Sequence, residues 1–438
     1  MSSEWQEYSI DDIKASEASS ISIGPFGSRM KSDCYVESGT RVVRGTNLTS
    51  GREFSGEFVF VTADKAAELG GANLDPLDLV FPHRGAIGEV GIVPNDGNSY
   101  VLSSSLMKLR CHRKKADPHF IYYFFKSDTG RFELLKNSSQ VGTPGIGQPL
   151  TSLKGIRLKL PLIAEQQRIV QILGAFDDRI VLLRETNATL ETIAQALFKS
   201  WFVDFDPVRA KMAGRAPDGM DEATAALFPD SFEESELGLV PKGWRVCAFT
   251  ETVNVIGGGT PKTSVSEYWD GSIPWFSVVD APVTTDVFAI DTQKHITEAG
   301  IANSSTKLLP AGTTIISARG TVGKLAMAGC EMAMNQSCYG LRGKAGDDYF
   351  TYFSTFRLVE TLKQRTHGSV FDTITRDTLA GVIVTYPEQR IIKAFESLLA
   401  PVMRRIRTNL QQAKTLATLR DTLLPRLISG QLRLPEVA

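Results

Sequence analysis

The stretch HRGAIGEVGIV (residues 83–93) recurs as ARGTVGKLAMA (318–328), 235 positions further along the chain. Other matches flank it in the same order. Trp5 corresponds to Trp244, Leu109-Arg110 to Leu341-Arg342, and residues 142–161 to 368–387, ungapped at an offset of 226. Leu190, Ile193, Leu197 and Phe198 correspond to Leu416, Leu419, Leu423 and Leu424 at that same offset. One recurring motif is chance, whereas several recurring in order indicate duplication. A length prior of roughly 150 residues per domain suggests three units for 438 residues. The repeat replaces that figure with two copies of one plan.

Each copy opens with short β-rich runs punctuated by Gly and Pro, such as TRVVRGTNL, LVFPHRGAIGEVGIV, SSLMKLR and GIRLKLPL. HFIYYFFKSDTGRFELLK (119–136) reads as an amphipathic helix with Tyr and Phe on its buried face, and YFTYFSTFRLVETLKQ (349–364) is its twin. The unit is therefore mixed α+β. Each copy then ends in a long helix. The first starts after Pro161 and carries Ile169, Ile172, Leu173, Phe176, Ile180, Leu183, Leu190, Ile193, Leu197 and Phe198 at spacings of 3 and 4, a coiled-coil-like stripe. The second starts at Pro387-Glu388, carries Ile391 through Leu424, and stops near Ser429-Gly430. Pro401 lies inside it and should kink it. Each stripe needs a partner, and the simplest arrangement packs the two helices antiparallel.

Charge and composition narrow the function. Lys plus Arg number 48 and Asp plus Glu 49, a formal charge of −1, which argues against coating nucleic acid by bulk electrostatics. The charge is uneven: −6 over residues 164–243 and +5 over 388–438. Residues 216–241 hold no Lys or Arg but include Pro217, Gly219, Pro229, Gly238 and Pro241, the pattern of a solvated connector. The apolar runs fall short of the ~20 residues of a membrane span. MSSEWQEYSI has no secretory-signal pattern, and five cysteines without a C-x-x-C pair fit a reduced, cytoplasmic compartment. The five histidines show no metal-ligand spacing, so no metal is expected.

Catalytic motifs are not legible. There is no Asn-Pro-Pro-aromatic or Pro-Cys methyltransferase motif and no Asp…Glu-x-Lys nuclease cluster. Gly257-Gly258-Gly259-Thr260 runs into Pro261 and lacks a later Gly at dinucleotide-loop spacing. GTVGKL (320–325) fails as a phosphate loop because Ala318 and Leu325 stand where Gly and Ser or Thr are required.

Several segments resemble the specificity subunit of type I restriction–modification enzymes. They are LETIAQALFKSWFVDFDPVRAK (190–211), LRDTLLPRLISGQLRL (419–434), GGGTPKT with YWDGSIPWFSVVD (257–280), the RGAIG and RGTVG turns, and LPLIAEQQRI (160–169). The resemblance covers nearly the whole chain, with two departures: the second helix is preceded by a shorter TYPEQRI, and Pro401 interrupts that helix; the first copy also opens with SIGPFGSRMKS instead of a Gly-Gly-Thr-Pro form. It implies two tandem target recognition domains, 1–163 and 244–387. A central spacer helix (164–205), an acidic linker (206–243) and a C-terminal spacer helix (388–438) complete the pseudo-two-fold repeat. It implies a non-catalytic reader of a bipartite, asymmetric target on double-stranded DNA. Two methyltransferase subunits and, in the restriction complex, two motor-nuclease subunits are the implied partners. S-adenosylmethionine, ATP and Mg2+ would be bound by those partners and none by this chain. The competing reading is a coiled-coil scaffold that recruits proteins without selecting DNA sequence.

Base edges are read by Arg, Lys, Asn and Gln, while phosphate contacts position the protein. Loops with such residues beside Gly supply the DNA-binding candidates: Ser28, Arg29, Lys31, Arg44, Asn47 and Arg84 in the first copy, and Thr260, Lys262, Thr263, Arg319 and Lys324 in the second. For Arg84 and Arg319 bracing of a hairpin turn competes with DNA contact. Trp201, Phe202 and Phe205 are expected to pack the end of the central helix or to meet a methyltransferase.

Overall fold

A computed structural model of the chain describes residues 5–26, 29–48, 51–52, 54–139, 142–282, 286–365 and 373–435. It divides into two compact units. The first is Met1–Ile180 with Thr415–Ala438, and the second is Val181–Lys414.

In the first unit, strand Gln6–Ser9 pairs antiparallel with Arg157–Leu160, so the start of the globular part is stitched to its end. A four-stranded sheet has the order Ile21–Ile23, Leu106–Leu109, Leu79–Pro82, Gly91–Ile92. A second has the order Val59–Val61, Thr40–Val43, Tyr100–Leu102, Asn73–Leu74. Lys108, 1% exposed, donates to Asn73 O of the other sheet at 2.5 Å. Asp78 lies 3.6 Å from that ammonium and accepts two 2.8 Å bonds from Arg110. A buried cation is tolerated there because carboxylate and carbonyl both face it.

The second unit repeats the plan. Arg245–Ala248 pairs with Ile383–Tyr386. A five-stranded sheet runs Val253–Gly257, Cys338–Gly343, Thr314–Ser317, Leu325–Ala328, Phe288–Ala289. Its first four strands occupy the places of Ile21–Ile23, Leu106–Leu109, Leu79–Pro82 and Gly91–Ile92. Trp269–Phe276 sits between His295–Ile296 and Ala333–Met334 in a three-stranded sheet.

The aromatic segments differ. Residues 119–136, expected as one amphipathic helix, form two helices, Pro118–Lys126 and Asp128–Leu135. Ser127 caps the second by accepting from Gly130 N at 3.3 Å, and a Cβ at Gly130 would lie 2.0 Å from Phe124 O. Phe120 through Phe125 are all buried, so the first helix is enclosed on every side. Its counterpart Asp348–Arg365 has no such glycine and continues as one helix.

Two helices of 40 residues, Ile163–Phe202 (central) and Gln389–Ile428 (C-terminal), each contribute to both units. In the first unit Ile169 and Leu173 of the central helix share a core with Leu424, Leu427 and Ile428. In the second, Ala194, Phe198 and Phe202 share one with Ile391, Phe395, Leu399, Met403 and Ile406. Early residues of one helix meet late residues of the other, as antiparallel packing requires. The C-terminal helix continues through Pro401, so that residue does not end it. Ile193 and Leu419, expected inside the apolar stripes, are 46% and 47% exposed and lie on the stripe's outer edge.

Positions related by the repeat are not chemically alike. In the first unit Asp177 accepts from Tyr123 Oη and from Arg420 Nη1, both at 2.6 Å. At the corresponding places the second unit has Phe353, Met403 and Ala194, all buried in one apolar cluster.

Residues 206–243 are not a solvated connector. They form the helices Asp206–Met212 and Glu222–Ala226 and the hairpin Phe232–Ser235/Gly238–Pro241. Val208, Phe228 and Val240 are buried, and the Trp201 and Phe228 rings pack edge to face at 5.2 Å. Trp201 and Phe202 are core residues, 4% and 7% exposed. Burying each such ring contributes about 1.5–3 kcal/mol, which a few well-spaced apolar residues supply in an otherwise acidic segment.

Candidate nucleic-acid interface

Three loops converge in each unit. In the second unit they are 257–263, 318–323 and 335–337. A Cβ at Gly258 would lie 1.9 Å from Asn335 O, so only glycine lets the first loop press onto the third. Gly259 N donates to Met334 O at 3.0 Å, and Thr260 Oγ1 donates to Gln336 Oε1. Ala318 N donates to Ser337 O at 2.7 Å, which brings in the turn that carries Arg319. Trp275 Nε1 donates to Gly259 O at 3.0 Å and Trp269 Nε1 to Lys262 O at 3.2 Å, so the two indoles hold the first loop from beneath.

The first unit repeats two of these joints, Gly24 on Ser103 and His83 on Ser105. A Cβ at Gly24 would lie 1.8 Å from Ser103 O. Gly24 N donates to Leu106 O at 2.8 Å and His83 N to Ser105 O at 2.9 Å. The His83 ring bonds Ser104 O at 3.1 Å; burial, and then the neighbouring Arg84 charge, lower its pKa and favour the neutral ring.

Most sequence-derived candidates lie on these loops with exposed side chains. Arg29, Lys31, Arg84, Lys262, Thr263, Arg319 and Lys324 are exposed. Arg29 Nη2 donates to Glu68 O at 2.9 Å. Arg84 and Arg319 sit in turns whose glycines, Gly85, Gly88, Gly320 and Gly323, have φ of 76–87°. Both arginines form isolated backbone bridges, to Gly145 and Thr373, which fix the turns while leaving the guanidinium groups outside. Ser28 lies outside the described residues.

Asn47 is a correction. It is 1% exposed, and its amide is spent on backbone: Oδ1 accepts from Arg44 N at 2.9 Å, while Nδ2 donates to Ser55 O and Glu57 O at 2.9 and 3.1 Å. It braces the loop and has no donor left for a base edge. Arg44 is half-buried, with Nη2 donating to Glu57 O at 3.2 Å. Ser104 and Gln336 were not singled out by sequence reasoning. They occupy corresponding places in SSSLMKLR (103–110) and NQSCYGLR (335–342), a pairing the repeat offset would have exposed.

Among the described residues no group of His, Cys, Asp and Glu is arranged to hold a metal, and no helix is long and apolar enough to cross a membrane. All five cysteines are free, and burial raises the Cys111 and Cys338 thiols, the latter to about 12.

Two α+β units of one plan, each presenting three clamped polar loops and built onto the same pair of helices, define a tandem recognition protein. The chain belongs to the type I restriction–modification DNA specificity family, whose domain model matches residues 2–192 and again 241–412. It is 26% identical to the type I restriction enzyme HindI specificity subunit of Haemophilus influenzae, over 98% of this chain and 100% of that one. It is 32% identical to the MjaIX specificity subunit of Methanocaldococcus jannaschii over 36% of this chain and 37% of the relative. The crystal structure of the type I restriction–modification S subunit from M. genitalium matches with a TM-score of 0.57 at 16% identity, covering 99% of this chain and 97% of that one, and so shares its fold. The chain is thus a specificity subunit, the non-catalytic recognition component of its enzyme.

Proposed function

We propose that this chain reads a bipartite, asymmetric sequence on double-stranded DNA, one half through each unit, and positions methyltransferase subunits for adenine methylation. The observation that carries this is the duplicated three-loop joint fitted with different side chains: Ser104 with Arg29 and Lys31 in one unit, Gln336 with Thr260 and Lys262 in the other. One scaffold with two sets of polar side chains suits two different half-sites. The boundaries 1–163, 164–205, 206–243, 244–387 and 388–438 describe the two recognition domains, the two spacer helices and the segment between. Exposed Arg29, Lys31, Arg84, Lys262, Thr263, Arg319 and Lys324, with Thr260 and half-buried Arg44, supply contacts to phosphate and base. The protein works in the cytoplasm. Two methyltransferase subunits carry S-adenosylmethionine and flip the target adenine, and motor-nuclease subunits with ATP and Mg2+ join for restriction. Methylome sequencing of a host expressing this chain with its methyltransferase tests the reading. A split adenine-methylated motif that vanishes on deleting the chain is expected, and an unchanged methylome with both genes expressed refutes it.

A further inference from the structure

We propose that Gln336 is a base-reading residue of the second unit, acting beside Thr260, and that it selects adenine at one position of one half-site. The inference rests on the specificity-subunit reading above. Gln336 is the exposed middle residue of the short tract 335–337 between strands Ala333–Met334 and Cys338–Gly343. The backbone around it is anchored on both sides. Asn335 N donates to Phe276 O at 2.9 Å, Ser337 N to Asn335 Oδ1 at 3.0 Å, and Cys338 N to Asn335 O at 3.2 Å. Thr306 Oγ1 and Gly259 N both donate to Met334 O, at 2.8 and 3.0 Å. A side chain on so fixed a base loses little freedom on binding.

The side chain itself is oriented. Thr260 Oγ1 donates to Gln336 Oε1, which turns Nε2 away from Thr260. Nε2 keeps its two protons, and Oε1 keeps a second lone pair. An adjacent donor and acceptor on a planar amide match the N6 and N7 edge of adenine in the major groove. A neutral amide neutralises no phosphate charge, and that task suits exposed Lys262 and Lys307. Lys307 lies two residues after Ser305, whose Oγ would be only 2.3 Å from a Cβ at Gly259, so its segment abuts the same loop. The first unit has Ser104 in the corresponding place, a side chain too short to span both atoms of a base edge, so the two halves differ where the backbone joint is the same.

The test uses the full chain with its methyltransferase and compares methylomes of wild type, Gln336→Glu and Gln336→Ala, with melting curves of each. Gln336→Glu keeps the acceptor for Thr260 and the volume but replaces the donor with an acceptor, which suits the N4 amine of cytosine. Gln336→Glu is expected to move one position of one half-site from adenine towards cytosine, by about 10- to 100-fold in discrimination. Gln336→Ala is expected to relax that same position, and the other half-site stays as in wild type. A wild-type motif left intact by both variants overturns this assignment alone. Equal weakening at every sequence, or loss of folding in Gln336→Glu, makes the residue a brace and also overturns it. A wild-type chain that directs no sequence-specific methylation overturns the broader reading and this assignment with it.

Discussion

A methyl group at position 258 would sit 1.9 Å from a backbone oxygen that cannot retreat, because Asn335 is itself tied to Phe276 and Cys338. Gly258→Ala must therefore separate the first and third loops of the second unit. Overpacking against backbone costs about 1–3 kcal/mol, which for a unit of this size lowers Tm by a few degrees. Gly257→Ala is the control, since nothing lies within 4 Å of a Cβ there. Calorimetry and duplex binding should find Gly258→Ala less stable and unselective at one half-site, with Gly257→Ala close to wild type; equal behaviour of the two would refute the clamp. The Gly-rich stretch was conspicuous in the sequence, but its reason was not. Asn335 lies 77 positions from Gly258, and no local pattern reports a contact at that distance. Gln336 was legible only through its repeat partner Ser104, and Asn47 was misjudged for a nearer reason: the loop folds back so that Ser55 O and Glu57 O, 8 and 10 positions on, take its amide and turn a plausible base reader into a loop brace.

At the scale of the element, the seam of the two long helices in the second unit contains a polar pair. Asn187 and Asn409, 1% and 0% exposed, share a 2.9 Å bond, and Asn187 Nδ2 donates to Ile406 O at 3.2 Å. The repeat-related positions are Ala413 and Leu183, so the pair marks one register as unique, the use to which a buried Asn is put in coiled coils. Asn187→Leu strands the Asn409 amide and should cost about 1–3 kcal/mol, whereas the double change to Leu should restore most of it. A double-mutant cycle in thermal melts measures this, and additive losses would count against the pairing. A periodic stripe was legible here, but its polar interruptions read as gaps. Nor can spacing of 3 and 4 alone tell a stripe's centre from its rim, which is why Ile193 and Leu419 were misplaced. A second element carries a pH dependence. At the start of helix Asp348–Arg365, Glu396 Oε1 accepts from Phe350 N at 2.7 Å, and burial pushes its pKa up to about 8. Burial also raises Asp347 and Asp348 beside it, and takes Glu191, elsewhere in the unit, to about 7. A carboxyl raised on folding holds its proton longer in the native state, so its stabilisation is full below about pH 4.5 and is lost as pH rises towards 8. Glu396→Gln keeps the acceptor and removes the titration. Its Tm relative to wild type should rise between pH 5 and pH 8.5, and a constant difference across that range would refute the assignment.

For the whole molecule, the near-zero net charge first argued against nucleic acid, and the duplicated joints give it another meaning. Among the described residues each unit offers a handful of exposed cations around its loops, Arg29, Lys31 and Arg84 in one and Lys262, Lys307, Arg319 and Lys324 in the other, so few phosphates would be neutralised by this chain alone. Since each neutralised phosphate adds about −0.9 to the slope of log K against log salt, binding by the isolated chain should be weak and shallow in its salt dependence. The duplication was legible because it preserves order over long stretches. The folded segment 206–243 was not, because a few separated apolar residues, among them Val208, Phe228 and Val240, carry its burial while acidic and Gly/Pro neighbours dominate its composition. Since each unit owns a complete set of three loops, recognition should be separable. Replacing residues 1–160 with the corresponding segment of a relative leaves every joint of the second unit in place: Gly258 on Asn335, Thr260 on Gln336 and Ala318 on Ser337. The hybrid, expressed with its methyltransferase, should therefore methylate a motif changed in one half only, with the half sensitive to Gln336 retained. A motif altered in both halves would mean that the units do not read independently.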